Sequence, residues 1–317
     1  MDAVHGSQSI NTASRVGGFP MARENVIVAA LLIFAIVLGA YFRFNGNNWD
    51  DYVRWHPDER YLAGQIGPAI GGPLVAPDPR WGCADGSGPC TPDQRTVYDR
   101  YNACVEKYPA TGGRGSYFDT DCSPYNPENI ALTNYAYGTL PLFMARISAE
   151  FYSDFSDDNV FLQYRGFALV WRAVSAMVDT LVIALVFFMG ARLHNKWVGV
   201  VAALIYAGAV LPIQLAHFGT ADAVTNFFVA LALYFAIRTQ DTGSLWDFGS
   251  FGIALGMAVA SRINVAPLAA VIAIVAFFRV LPAFDAGTAW RERNRILLTN
   301  FLGVMLAAFL SLLAFRI

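Results

Sequence analysis

The apolar positions of this chain come as continuous runs rather than as narrow stripes. The first run, residues 26–41, is close to the shortest stretch that spans a bilayer, about 17 residues. A dense series follows much later, at 169–189, 197–211 (ending before Pro212), 223–237, 248–260, 265–280 and 296–315. Hydrocarbon offers no partner to a backbone amide or carbonyl, so runs of this kind must close their hydrogen bonds as helices. The pattern therefore predicts an all-α polytopic membrane protein, a bundle of about seven transmembrane helices.

Between the first run and the rest lies a polar stretch, 43–164, rich in Pro, Gly, Asp, Asn and Tyr, which are turn and loop signals. Two short helical pieces are expected inside it, at 59–67 and 94–107. Residues 137–151 are amphipathic and short for a span, as in a helix lying along the interface. Residues 1–24 are polar, lack a signal-peptide cleavage pattern and read as a disordered cytoplasmic tail. The remainder, 25–317, reads as one transmembrane module whose long first loop stands outside. There is no short internal repeat. The closing stretch Ser311–Ile317 carries no polar tail and reads as a piece of a longer chain.

Composition sharpens this picture. Hydrophobic residues make up 56% of the 317 and charged residues 15%, against about 25% charged in an ordinary soluble chain. The mean hydropathy is +0.41. A soluble domain of this size has too little polar surface to cover so many apolar side chains, and disorder is excluded on the same grounds. A formal net charge of −2 gives no basic field for nucleic acid.

Charge placement orients the chain. Arg15, Arg23, Arg192, Lys196, Arg238, Arg279, Arg291, Arg293 and Arg295 fall at one set of helix ends, which the positive-inside rule puts in the cytoplasm. The long loop is then external. All four cysteines, Cys83, Cys90, Cys104 and Cys122, lie in that loop. An even number clustered in an external loop points to disulfides. Nearest-neighbour pairing would join Cys83 to Cys90 and Cys104 to Cys122, although four cysteines allow three connectivities. A zinc site or four free thiols are the rival readings. The topology implies a multi-pass protein of the plasma (inner) membrane, with its N-terminus cytoplasmic and its reactive loop external or periplasmic.

Three polar clusters then face the same compartment. They are His56-Pro57-Asp58-Glu59-Arg60 (after Trp49-Asp50-Asp51 and Trp55), His217-Phe218-Gly219-Thr220-Ala221-Asp222, and Ser261-Arg262-Ile263-Asn264. Ionisable groups at membrane depth cost free energy and point to function. Pro57 can open a helix with Asp58 and Glu59 in its first turn. A carboxylate held there can take a proton from a hydroxyl. An arginine at the membrane surface can hold a lipid phosphate through two parallel hydrogen bonds. Each cluster also has a plain reading: a capped helix start for His56–Glu59, a solvated turn for Asp50-Asp51, a helix-end pair for His217 and Asp222, a snorkelling side chain for Arg262. Arg172 and Asp179, seven apart within the second run, read either as buried ion pairs with neighbouring helices or, for Arg172, as a phosphate ligand.

Taken in order, Arg43…His56-Pro57-Asp58-Glu59, Tyr137-Gly138-Thr139-Leu140-Pro141-Leu142, His217…Thr220…Asp222 and Ser261-Arg262-Ile263-Asn264 resemble the GT-C glycosyltransferases. The likeness is greatest to the family 39 group of protein O-mannosyltransferases and lipid A aminoarabinose transferases, and it spans about 26–317. The resemblance implies a GT-C-like bundle that takes a sugar from a polyprenyl or dolichyl monophosphate carrier and passes it, with inversion, to an acceptor on the external side. It implies Asp58 as base with Glu59 beside it. Arg43, His56, Arg172, His217, Asp222, Arg262 and Asn264 would hold substrate or lipid phosphate, with no obligate cofactor or metal; a divalent ion is the alternative. The partners would be the lipid-linked donor, an acceptor that is protein, lipid or glycan, and membrane lipids. The cysteine-bearing insertion is longer than the simplest loop of the family. Two other classes stay open: a transporter or flippase, favoured by Arg172 and Asp179, and a non-catalytic membrane subunit.

Overall fold

The computed structural model describes residues 21–316, except 52, 54, 55, 75, 85, 87, 89, 132–136 and 286. Most of the expected tail, and Trp55, therefore lie outside the described residues. The rest is helical, with no strand among the described residues.

The first apolar run forms α1 (Met21–Phe44). The loop segment that follows contains α2 (Pro57–Tyr61), a π-helical turn at Leu62–Ile66, the single turn α3 (Gly67–Ala69), α4 (Pro92–Lys107), α5 (Pro127–Ala131) and α6 (Leu140–Ser156). The two short helices expected there are thus present, each opened by a proline that needs no amide partner at its first position. Thr91 and Gln94 close a reciprocal cap on α4. The long apolar series becomes α7 (Tyr164–Leu193), α8 (Lys196–Ala207), α9 (Val210–Ala216), α10 (Ala221–Thr242), α11 (Leu245–Ser261), α12 (Ala269–Val280) and α13 (Trp290–Phe315).

Among the described residues five helices are long and apolar enough to cross a membrane, and α8 with α9, bent by 55°, counts as a sixth when the pair is taken as one span. The fifth run, 248–260, is α11, a shorter apolar helix of 17 residues. The third run does not end at Pro212. The break comes at Gly208, and Pro212 sits in the first turn of α9, where its missing amide costs nothing. Many apolar side chains of α1, α12 and α13 face outward, as expected of a lipid-facing surface.

The core follows small residues. Ala232 and Ala236 of α10, Phe248, Phe251 and Ala254 of α11, and Ala307 of α13 form one buried cluster. A Cβ on Gly252 would fall 2.3 Å from the Ala307 carbonyl oxygen, so α11 and α13 touch backbone to backbone. A second cluster joins Leu62, Ile66 and Ile70 to Leu142, Ala145 and Ala149 of α6 and to Phe167 and Trp171 of α7. That cluster seats the polar insertion on the bundle. On the other side of α6, Ile147, Phe151 and Phe155 are exposed, which suits a helix lying at an interface.

The two sets of helix ends segregate as expected. At one end Arg192 pairs with Asp241, Lys196 bonds Asn25, Arg238 pairs with Asp247, and Arg279 donates to the Gln240 carbonyl. The three clusters singled out above lie at the other end. Cys83 is bonded to Cys90 and Cys104 to Cys122, with no free cysteine.

The Cys104–Cys122 bridge closes a separation of 18 residues and the Cys83–Cys90 bridge one of 7. Replacing both cysteines of the longer loop by serine should therefore cost about 3 kcal/mol, more than the same change in the shorter loop. Thermal unfolding of each variant in detergent checks the order.

Candidate active site

Three arginines near this end of the bundle meet carboxylates, and their donors are used differently. Arg172 of α7 is fully buried. Its Nε and Nη2 grip the Glu59 carboxylate, Nη1 and Nη2 grip Asp50, and Nη1 also reaches the Asn47 carbonyl at 2.8 Å. That occupies all five N–H groups of the guanidinium. Glu59 Oε1 accepts a further bond from the Gly219 amide at 3.2 Å. A side chain on Gly219 would press on Glu59 and on Trp171, whose indole nitrogen donates to the Thr220 carbonyl.

Arg43 is likewise fully buried. It bonds Asp179 at 2.6 Å and the carbonyls of Gly39, Ala207 and Tyr206. Asp179 also receives the Tyr206 hydroxyl at 2.7 Å and the Asn226 amide. Arg172 and Asp179 of α7 thus pair with groups outside that helix, not with each other.

The third cluster is open. Arg262, Asp58 and Asp222 are 27%, 28% and 32% exposed. Arg262 Nη2 lies 2.9 Å from Asp222 and 3.8 Å from Asp58. Its buried Nε has no hydrogen-bond partner among the described residues. Local structure places each group. His56 caps α2, its Nδ1 accepting from the Asp58 amide at 3.2 Å. Thr220 caps α10 and puts Asp222 in the first turn, where the helix dipole favours a carboxylate. Arg262 leaves the C-terminus of α11 in extended backbone.

Tyr137 completes the group. Its ring lies 5.6 Å from the Arg262 guanidinium and its hydroxyl hydrogen-bonds Asp58. Burial, and then that bond, push the phenol above its usual range. Gly138 makes this possible: its amide donates to the Ser261 carbonyl at 3.2 Å, and a Cβ there would sit 1.9 Å from the Ala260 carbonyl oxygen.

Asp222, Arg262 and Asn264 stand at the head of a cleft of about 380 Å³. Asp179, Tyr206, Thr225 and Asn226 add polar groups to it; Leu211, Pro212, Leu215, Val229 and Val265 are its apolar lining. Leu211 is largely exposed on the outer surface of the bundle, so the apolar part is bounded by a side chain facing lipid.

The structure therefore brings Asp58, Asp222, Arg262 and Asn264 together. Glu59 and Arg172 lie in the closed cluster, and Arg43 in another. His56 packs against Phe218 with centroids 5.0 Å apart. His217 turns both ring nitrogens to carbonyls, those of Ile213 and Asn45, and so joins the end of α9 to the segment after α1. Asp50, read from sequence as part of a solvated turn, is buried against Arg172, while its neighbour Asp51 is exposed. Tyr137 opens the Tyr137–Leu142 motif, and the sequence offers no role for its side chain. Among the described residues no group of three or more His, Cys, Asp or Glu is placed to hold a metal ion.

Residues 165–314 match the model of the dolichyl-phosphate-mannose-protein mannosyltransferase family. The match, over just under half of the chain, bears out the resemblance to GT-C glycosyltransferases, in a chain whose described residues hold five or six helices long and apolar enough to cross a membrane. It covers Arg172, His217, Asp222, Arg262 and Asn264 and leaves Asp58 and Glu59 outside. No curated protein and no solved structure matches the chain.

The two kinds of cluster predict different mutational costs. Arg172→Gln strands two buried carboxylates and should lower stability by about 3–5 kcal/mol. Arg262→Gln, at a half-exposed site, should cost under about 1 kcal/mol. Unfolding of both variants in the same detergent measures the contrast.

Proposed function

We propose that the protein transfers a sugar from a polyprenyl monophosphate to an acceptor hydroxyl, with inversion, on the external side of the membrane. The observation that carries this reading is Arg262: a partly exposed guanidinium with an unused donor, beside two carboxylates, in a cleft lined by polar groups and, towards the outer surface at Leu211, by apolar ones. An isoprenoid phosphate has the same division, with one anionic end and one hydrocarbon end.

In the reaction the acceptor oxygen attacks the anomeric carbon while its proton passes to the Asp58 carboxylate. The bond from that carbon to the phosphate oxygen breaks on the opposite face, through an oxocarbenium-like state. The lipid phosphate leaves with one more negative charge than it had as a diester. Arg262 stabilises that charge, with charge-assisted bonds stronger than neutral ones. Asp222, at 2.9 Å, orients the guanidinium, and the Tyr137 hydroxyl holds Asp58 towards the acceptor. Asn264, on the wall of the same cleft, is a neutral donor for the sugar or the phosphate.

Glu59 receives a structural role, because Arg172 and Gly219 already engage its carboxylate. The same saturation takes Arg172 and Arg43 out of phosphate binding. It also accounts for the charges that favoured a transporter, since Arg172 and Asp179 are both engaged in ion pairs. The external assignment rests on the basic residues at the opposite helix ends and on the two disulfides in the long loop. No obligate metal is part of the proposal.

The test is sugar release from a panel of polyprenyl-phosphate sugars by the full chain in detergent, wild type beside Asp58→Asn. Release from at least one donor, reduced at least about 100-fold in the variant, is expected. Release that survives the substitution removes Asp58 as base, and no release from any donor contradicts the transferase reading. A parallel assay in EDTA should keep its rate; loss of activity restored by magnesium or manganese would place a metal in the mechanism.

A further inference from the structure

A second cleft, of about 650 Å³, opens beside the first, between the disulfide-bonded insertion, the start of α6 and the end of α13. Tyr137 touches Arg262 and Asp58, and Thr139, two residues along, already lines this second cleft. Two residues span at most about 7 Å, so the two sites are neighbours.

The walls are aromatic and hydroxylated. Tyr117, Phe118, Tyr125 and Phe143 form a run of rings with centroids 5.3 to 6.5 Å apart. Phe118 is 89% exposed, its ring meeting Tyr117 edge-on and otherwise open to the cleft and solvent. Thr120, Ser123, Asn126, Thr139 and Arg316 line the same space, and Thr139 stands before α6 without capping it.

The platform is held rigid by the insertion. Cys122 is bonded to Cys104, the Gly115 amide donates to the Cys122 carbonyl at 2.7 Å, and Asn126 and Asn129 both donate to the Thr120 carbonyl at 2.9 Å. A preformed wall loses little entropy when a ligand arrives.

We propose that this cleft binds a saccharide and is the acceptor subsite of the transferase, so that the acceptor is a glycan. A pyranose carries C–H patches on its faces and hydroxyls on its edges. Ring faces and threonine hydroxyls side by side match that division. Two ways of reading a peptide, along a sheet edge or in an aliphatic groove, are not offered here; the third, an aromatic groove that takes a proline-rich segment, is an outcome of the test below. No strand exists among the described residues, and Leu313 is the cleft's one open-chain aliphatic side chain. An isoprenoid chain would call for an aliphatic lining, as in the first cleft.

The proposal rests on the transferase reading, and the test separates the two. The full chain in lipid nanodiscs is applied to a glycan array and to serine- and threonine-containing peptides, proline-rich ones included. Wild type, Phe118→Ala, Thr139→Val and the outlying Phe155→Ala are compared, and donor turnover of the wild type is measured on the same preparation. The expected result is binding to a defined set of glycans, weakened about tenfold or more by Phe118→Ala and by Thr139→Val and kept by Phe155→Ala. Binding of peptides only, absence of glycan binding, or glycan binding indifferent to Phe118 and Thr139 would overturn the subsite even if donor turnover is present. Glycan binding without any donor turnover would leave the cleft standing and contradict the transferase reading.

Discussion

The guanidinium of Arg172 sets the geometry on which the rest depends. It sits in a membrane helix, where an unpaired charge is costly. Its five donors can be met only if the loop after α1 folds back to deliver Asp50, Asn47 and Glu59 to one point. Once Glu59 is anchored, its neighbour Asp58 is fixed at the start of α2 and points away from the closed cluster. The Gly219 amide on the same carboxylate fixes the turn before α10, and so the position of Asp222. One buried charge network therefore places both carboxylates of the open site.

The open site differs from the closed ones by what is left unused. Arg43 and Arg172 spend their donors on partners within the protein, and their carboxylates are buried with them. Arg262 is shared loosely between two half-exposed carboxylates and keeps a donor in hand. A guanidinium in that state can take up an anion without first breaking a saturated network. The small residues and backbone contacts of α10, α11 and α13 keep its support rigid.

Much of the fold was legible because lipid leaves few choices. Apolar runs must be helices, and the runs from residue 26 to 315 appear with ends shifted by a few residues. The break at Gly208 was less legible, since Pro212 carried the stronger helix-breaking signal. Convergence of Asp58, Asp222 and Arg262 could be anticipated from their common membrane face. Which arginine keeps an unsaturated guanidinium could not, because hydrogen-bond saturation is a property of three-dimensional partners. Thus Arg43 and Glu59, site residues by resemblance, lie in buried ion pairs, Arg172 takes the ion-pair alternative that the sequence left open, and Asp50, read as solvated, is buried. Tyr137 gave no sign of its place over Arg262, because the close approach that puts it there depends on Gly138 lying against α11.

The central claim is that Arg262 alone among these three arginines is poised to hold the lipid phosphate. The most direct measurement is the affinity of the full chain for a polyprenyl monophosphate, with no sugar attached, in wild type and Arg262→Gln, each checked for an unchanged unfolding temperature. The account predicts at least about a tenfold loss of affinity, roughly 1.4 kcal/mol, in a variant that stays folded. Equal affinity in the two folded proteins would contradict it.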